Sequence, residues 1–198
     1  MFAVSDTGDW RSRKWAATHR RIYEAAMRLF QEQGFERVNI GQLAAAAEVS
    51  VPTFYAHFPS KEHVVMQLPS PEQLAALLAT LPADLPVGER LRGFVPLFFA
   101  QFTEQDWEDT LVRWKIIAAT PGLRTRAAEY ERTTADMLAD ALPSASGVSL
   151  TPADAVVVNG YMAAFTTGLL AWADSDGQED LEKLVDEAIA VLHQRDTP

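Results

Sequence analysis

The sequence predicts an all-α fold of about nine helices. Apolar residues recur with helical spacing along nearly the whole chain, and no run alternates apolar and polar residues between turn signals as a half-buried strand would. Proline, glycine and short polar side chains fall where helices would start and stop.

The first helix is marked by Ile22, Ala25, Ala26, Leu29 and Phe30, one apolar stripe expected over about Thr18 to Gln33, with Gly34 placed to close it in a left-handed cap. Asn39 is the N-cap expected of a short second helix whose buried face is Ile40, Leu43, Ala44 and Ala47. Ser50 is a second N-cap only eleven residues later, with Pro52 in the first turn of a third helix, where its missing N–H costs nothing. Pro59 ends that helix, and Ser60 with Glu62 opens a fourth. Pro69 and Pro71 then leave two possibilities: a kink in the fourth helix, or a stop and restart before Leu74.

Further on, Leu91, Phe94, Val95, Phe98, Phe99 and Phe102 share one face of a helix that contains Pro96, and Trp107, Leu111, Trp114 and Ala118 mark the next. After Thr120-Pro121-Gly122 comes a helix from Leu123 to about Ala141, then a loop over Ser144–Ser149. Thr151-Pro152 opens a long uncharged helix, and Leu181, Leu184, Val185, Ala188, Ile189 and Leu192 stripe the last one.

A chain of 198 residues with 48% hydrophobic and 22% charged residues is composed like a globular protein with a packed core. There is no cysteine, which excludes disulfides, thiolate metal sites and cysteine nucleophiles. Ser5, Asp6 and Asp9 interrupt any apolar leader, so no secretory signal is expected and the expected location is the cytoplasm. The nineteen residues from Ala155 to Ala173 carry no charge and approach the length of a membrane span. Asn159, Thr166, Thr167 and two glycines dilute the run, and Asp154 and Asp174 bracket it instead of basic residues, which favours a buried helix and no membrane partner.

The net charge of −10 would repel nucleic acid if it were evenly spread. Residues 1–65, however, hold 8 Lys and Arg against 7 Asp and Glu, a net of +1, while residues 66–198 hold 9 against 20, a net of −11. Arg11, Arg13, Lys14, Arg20, Arg21 and Arg28 face only Glu24 over their interval, a local basic stretch in an acidic protein. The expected organisation is a basic N-terminal arm over 1–14, flexible or solvated, a near-neutral helical domain over 15–65, and an acidic helical domain over 66–198. A DNA-contacting arm and a solvated tail stand side by side as readings of residues 1–14.

The most informative run is Asn39–Val65, NIGQLAAAAEVSVPTFYAHFPSKEHVV. A helix-turn-helix needs small residues where its helices cross and an apolar one in the turn, here Ala44, Ala47 and Val49. Phe54 and Phe58, four apart, are the expected buried pair of the second helix. Val51, Pro52, Thr53, Tyr55, Ala56 and His57 are then left to face DNA.

With Val49-Ser50, Thr53-Phe54-Tyr55, His57-Phe58 and Ser60-Lys61-Glu62 following an amphipathic helix closed by Gly34-Phe35, the chain resembles the TetR family of bacterial regulators over residues 15–65. It departs from that family at Glu48 and at Pro52, where glycine is usual. Glu48 is costly if the turn needs a positive φ, by ~1 kcal/mol. The resemblance implies a helix-turn-helix DNA-binding domain over 15–65 and an effector-binding and dimerisation domain over 66–198, in a homodimer that binds a palindromic double-stranded operator and is released by a small hydrophobic effector, with no cofactor. DNA-contacting residues are then expected at Gln42, Ser50, Val51, Pro52, Thr53, Tyr55, Ala56, His57 and Lys61. Thr53, Tyr55 and Lys61 would hold phosphates, while Val51, Pro52, Thr53 and Ala56, with Gln42 beside them, would read bases largely by apolar contact and DNA shape.

Phe98, Phe102, Trp107, Trp114, Tyr130, Asn159 and Phe165 are the candidate effector residues: large aromatics with a few polar groups suit an apolar ligand, although most such rings in any domain are simply core. The segment Arg113–Glu131 resembles a ligand-domain subgroup of the same family, which implies a lipid-like or acyl effector. Gly160, Ala164 and Gly168 form a small-residue face for close helix approach and, with the last helix, are the candidate four-helix dimer interface. His57 and His63, six apart without a carboxylate cluster, make no metal pattern. No phosphate-cradling glycine loop, nucleophile elbow or zinc-type His-Glu spacing supports an enzyme. The competing reading is an acidic helical protein-interaction module whose helix-turn-helix-like run is a packed corner that binds no DNA.

Overall fold

The computed structural model describes residues 6–146 and 149–193, with side chains described over 10–142 and 149–192. Among the described residues there are ten α-helices and no strand, in two compact units divided between Gln67 and Leu68.

The first unit is built on α1 (Asp6–Gln33), followed by a 3-10 turn (Phe35–Arg37), α2 (Ile40–Ala46), α3 (Val51–His57) and α4 (Lys61–Val65). Helix α1 begins twelve residues before the expected Thr18. Ahead of Trp15 those residues carry no apolar stripe, so periodicity is blind to them, yet no proline interrupts them. The expected arm over 1–14 is thus helical from Asp6; residues 1–5 lie outside the described residues. Further along, α1 buries Ile22, Ala26 and Phe30 against Phe35, Val38, Leu43, Ala44, Phe54 and Phe58, each at most 5% exposed.

Gly34 leaves α1 at φ 83° and ψ 144°, with its N–H donating to the Phe30 carbonyl at 2.9 Å. Its φ is positive as expected, but the ψ lies outside the left-handed helical region, so the cap differs from the one expected. Asn39 accepts from the Gln42 N–H and the Gln42 side chain accepts from the Asn39 N–H, a complete capping box at the start of α2.

The second unit comprises α5 (Pro71–Leu78), α6 (Val87–Phe99), α7 (Glu104–Ala119), α8 (Pro121–Ser146), α9 (Pro152–Asp174) and α10 (Leu181–Ala190), closed by a 3-10 turn (Val191–His193). Between α4 and α5 the chain stops and restarts, with Ser70 capping the Gln73 N–H, and this resolves the two possibilities left by Pro69 and Pro71. Helix α8 runs through Ser146, past the expected loop start at Ser144, and residues 147–148 lie outside the described residues.

Helix α9 is long and apolar enough to cross a membrane by length and composition. Here it is the central element of the unit, packed on α6, α7, α8 and α10, with Val158, Tyr161, Ala164, Gly168, Leu169 and Trp172 buried. A Cβ at Gly168 would lie 2.6 Å from Val185 Cγ2 and 3.1 Å from the Val185 backbone nitrogen, so this glycine lets α9 and α10 approach to backbone contact. The small-residue face is therefore consumed inside the chain. A Cβ at Gly160, on the same face, would meet Leu192 at 3.2 Å. On the other side of α9, Val156, Ala163 and Thr167 are exposed.

Arg90 is 1% exposed. Its guanidinium donates to the carbonyls of Leu78, at the end of α5, and Leu142, in the last turns of α8, both at 3.3 Å. A cation on two helix C-termini is favourably placed against both dipoles.

Candidate nucleic-acid interface

The turn between α2 and α3 follows from its backbone bonds. The Glu48 N–H donates to the Ala45 carbonyl at 3.1 Å and the Val49 N–H to the Ala44 carbonyl at 2.9 Å, the paired closure of a Schellman motif. The residue between must take a positive φ, and Glu48 does so at 52°. The strain anticipated for a non-glycine residue at this position is therefore present. Arg21 braces the same turn from α1, its Nε donating to the Ala47 carbonyl at 2.8 Å.

Helix α3 is capped by Ser50, whose Oγ accepts from the Thr53 N–H at 3.1 Å and shares a hydrogen bond with Thr53 Oγ1 at 2.8 Å. Phe54 and Phe58 are buried in the unit's core. On the opposite face Val51 is 41% and Tyr55 50% exposed, with Pro52 and Ala56 also at the surface and Thr53 half-buried. Seven residues of helix thus present one continuous solvent face of small and apolar side chains. Gln42 is exposed on α2, with its carbonyl oxygen engaged in the capping box.

His57 and Lys61 are placed less simply. His57 is half-buried, its ring 4.9 Å from Trp15 and 5.6 Å from His19, while His19 stacks on Phe58 at 4.2 Å and on Trp15 at 4.8 Å. The Nδ1 atoms of both histidines are buried without a hydrogen-bond partner. Burial holds both rings below the usual histidine pKa, and His19 is lowered further by the neighbouring His57. The Lys61 ammonium donates to the carbonyls of Phe35 at 3.0 Å and Val38 at 3.3 Å and lies 4.3 Å from the Phe35 ring centre. It ties the start of α4 to the segment after α1. Ser60, the expected cap of α4, makes no bond to the helix backbone and binds the Glu62 and His63 side chains instead.

The family model described as "Bacterial regulatory proteins, tetR family" matches residues 22–68, and a second, "MftR C-terminal domain", matches residues 85–196. The chain belongs to the TetR family. Among curated relatives of this TetR-family chain, the HTH-type transcriptional regulator TcmR of Streptomyces glaucescens is 30% identical over 150 residues, covering 71% of this chain and 65% of TcmR. The HTH-type transcriptional regulator EthR of Mycolicibacterium smegmatis is 32% identical over 154 residues, covering 65% of this chain and 68% of EthR. The chain thus spans about two thirds of each. NalD, the secondary repressor of the MexAB-OprM multidrug efflux pump in Pseudomonas aeruginosa, shares the fold at a TM-score of 0.54 and 24% identity, covering 88% of this chain and 96% of NalD.

In the second unit of this TetR-family chain, four of the seven candidate effector residues meet. Phe98, Phe102, Trp107 and Phe165 join Phe99 and Trp172 in one cluster of rings with centroids 5.0–6.2 Å apart. Trp114 is half-buried against the same core on α7. Tyr130 is half-buried on α8, and Asn159 turns back along α9 to the Ala155 carbonyl at 2.7 Å. A cavity of about 360 Å³ opens elsewhere, lined by Arg92, Val95, Pro96, Glu182, Asp186 and Ile189, and contains none of the seven. Lys115 pairs with Asp176 at the surface.

Sequence reasoning passed over Trp15 and His19. Their signal was available: positions 15, 19, 22 and 26 continue the apolar face of α1 at helical spacing, one turn at a time.

Proposed function

We propose that this TetR-family regulator binds a palindromic operator as a homodimer and acts as a repressor released by a small hydrophobic effector. The observation that carries the reading is the solvent face of α3: Val51, Pro52, Tyr55 and Ala56 project from a helix whose other side, Phe54, is fully buried. A short helix with one face anchored and the other free has the form that enters a major groove. Val51, Pro52, Thr53 and Ala56 read bases through apolar contact and DNA shape, with Gln42 and Ser50 at the rim. Tyr55 and Thr53 reach phosphate oxygens, and Lys61 and His57 act on the duplex chiefly by holding α3 and α4 in place.

One recognition helix reads too few base pairs for a specific site, and two-fold pairing sets a second one about 34–36 Å away. The exposed outer sides of α9 and α10 serve as the dimer face. The aromatic cluster around Phe98, Phe102, Trp107 and Phe165 is the effector region, and loosening of these rings on binding admits an apolar chain. A comparable case is FadR of Bacillus subtilis, which shares the fold at a TM-score of 0.50 and 17% identity, covering 88% of this chain and 97% of that one, and whose structure holds stearoyl-CoA. An effector that binds better when the two recognition helices are mis-spaced weakens operator binding by that difference in affinity. The cytoplasm, where the operator is, is the site of action.

Selection of duplexes from a random pool by the purified protein, followed by a salt titration, tests the reading. A palindromic consensus whose affinity falls steeply from low to physiological salt is the expected result. No enriched sequence, with a salt-insensitive protein partner instead, would replace it with the interaction-module reading.

A further inference from the structure

A proline inside a helix leaves one carbonyl unclaimed. Pro96 has no N–H to give the Arg92 carbonyl four residues back, and its ring crowds that oxygen away from the axis of α6. Arg92 and Pro96 both line the cavity of about 360 Å³ between α6 and α10, with Val95 and Ile189 as its apolar floor. Glu182 and Asp186 form the opposite wall, one helical turn apart on the flank of α10 that faces α6. The basic side chains of both helices are occupied with other groups. Arg90 is on the Leu78 and Leu142 carbonyls, Lys183 pairs with Glu187 at 3.8 Å, and Arg92 acts on the Tyr161 hydroxyl, which burial pushes up and this cation draws back. Among the described residues, neither the Glu182 nor the Asp186 carboxylate has a hydrogen-bond or ion-pair partner.

These groups narrow the ligand by exclusion. The lining sets one cation, already engaged, against two carboxylates, so an anion is repelled. A purely apolar molecule would strip water from both carboxylates and return no hydrogen bond. A bare divalent metal asks for about six oxygen ligands, and no group of three acidic or histidine side chains stands together among the described residues. A primary ammonium fits: its three N–H donors match two carboxylates and the Arg92 carbonyl, and a short apolar body can lie on Val95, Pro96 and Ile189. Small-molecule sites run from roughly 300 to 1,000 Å³. This cavity is at the low end, with room for a short amine and not for a long acyl chain.

We propose that the cleft between α6 and α10 is a second ligand site, distinct in place and chemistry from the aromatic effector region, that takes a small primary amine with a short apolar body. Glu182 and Asp186 hold the ammonium, the Arg92 carbonyl left open by Pro96 accepts its third N–H, and Val95 and Ile189 carry the apolar part. None of the seven candidate effector residues lines this cleft. The site lies within one chain and needs neither a partner copy nor DNA, so it stands or falls apart from the operator-binding reading.

The test titrates the full chain with n-hexylamine, with hexan-1-ol as its neutral counterpart and hexanoate as its anionic one, and follows the methyl NMR signals of Ile189 and Val95. Hexylamine is expected to move both signals saturably with a Kd of about 1 mM or tighter, hexan-1-ol to bind about tenfold more weakly, and hexanoate to leave them in place. The double substitution Glu182→Gln, Asp186→Asn keeps the shape of two exposed side chains and is expected to weaken hexylamine by about tenfold while leaving hexan-1-ol as it was. Methyl signals elsewhere in the core show whether the fold is intact. Glu187→Gln, on the same helix but outside the cavity, is expected to change the affinity by less than about twofold. Pro96→Ala returns an N–H to the Arg92 carbonyl and is expected to narrow the preference for amine over alcohol by about threefold. Hexylamine that leaves both methyls unmoved up to about 10 mM overturns the site, and so does amine binding no tighter than alcohol. Equal weakening by Glu187→Gln overturns it as well, since the general field of an acidic surface would then account for the binding. An unaltered preference in Pro96→Ala overturns the part given to the carbonyl.

Discussion

Glu48 sits at a φ of 52° where the α2–α3 turn closes, and its side chain is exposed, so nothing in packing offsets the strain. Glu48→Gly would relieve the left-handed penalty of about 1–2 kcal/mol and give back about 0.5–1 kcal/mol in unfolded-chain freedom. The expected net is a stabilisation of about 0.5–1 kcal/mol, read as a higher urea midpoint at unchanged m. At His19 and His57 the physics is protonation. Both rings are held below the ordinary 6.5, so in the range just below 6.5 the unfolded chain binds more protons than the folded one. Their contribution is complete above pH 6.5 and is lost as the pH falls through 6.5 and past the lowered folded values. The melting temperature is expected to drop over that range, and His19→Phe, which keeps a ring on Phe58, is expected to flatten the drop.

Between elements, the two glycines of α9 separate propensity from packing. Gly→Ala inside a helix is worth about 1 kcal/mol in propensity. At Gly168 the new methyl would collide with the Val185 backbone, and the expected outcome is a loss of about 1–3 kcal/mol. At Gly160 the neighbour is the half-exposed tip of Leu192, which can turn aside, so Gly160→Ala is expected to be neutral or stabilising. Denaturant unfolding of both variants checks the contrast, and equal losses would show that the α9–α10 approach is not what Gly168 is for. Arg90 joins two helix ends in the same way. Arg90→Leu leaves the Leu78 and Leu142 carbonyls without this donor, for an expected loss of about 2–4 kcal/mol.

Across the whole molecule the charge is divided, about neutral over the first 65 residues and −11 over the rest, so an acidic body carries a reading head that a phosphate backbone tolerates. Ligand and fold are coupled at this scale too. A hydrophobic effector that binds only the folded state adds about 2.7 kcal/mol of stability at a hundredfold excess over its Kd. A thermal-shift screen of acyl and other apolar metabolites is expected to find compounds that raise the melting temperature and also release the selected duplex. Stabilisers that leave DNA binding untouched would separate the pocket from the switch.

Helix class, the caps at Asn39 and Ser50 and the helix-turn-helix run were legible in the sequence, because each rests on neighbours three or four residues apart: Asn39 on Gln42, Ser50 on Thr53, Phe54 on Phe58. Whatever depended on distant partners was decided only by tertiary packing. Ahead of Trp15 the exposed start of α1 has no apolar stripe to announce it, and Trp15 itself meets His57, 42 positions on. Lys61, a cation beside the recognition helix, spends its ammonium on two carbonyls over twenty residues away. The small-residue face of α9, equally suited by composition to a partner copy or to its own chain, was claimed by α10. Local periodicity determines which surface a helix must bury, and only the folded chain determines against what.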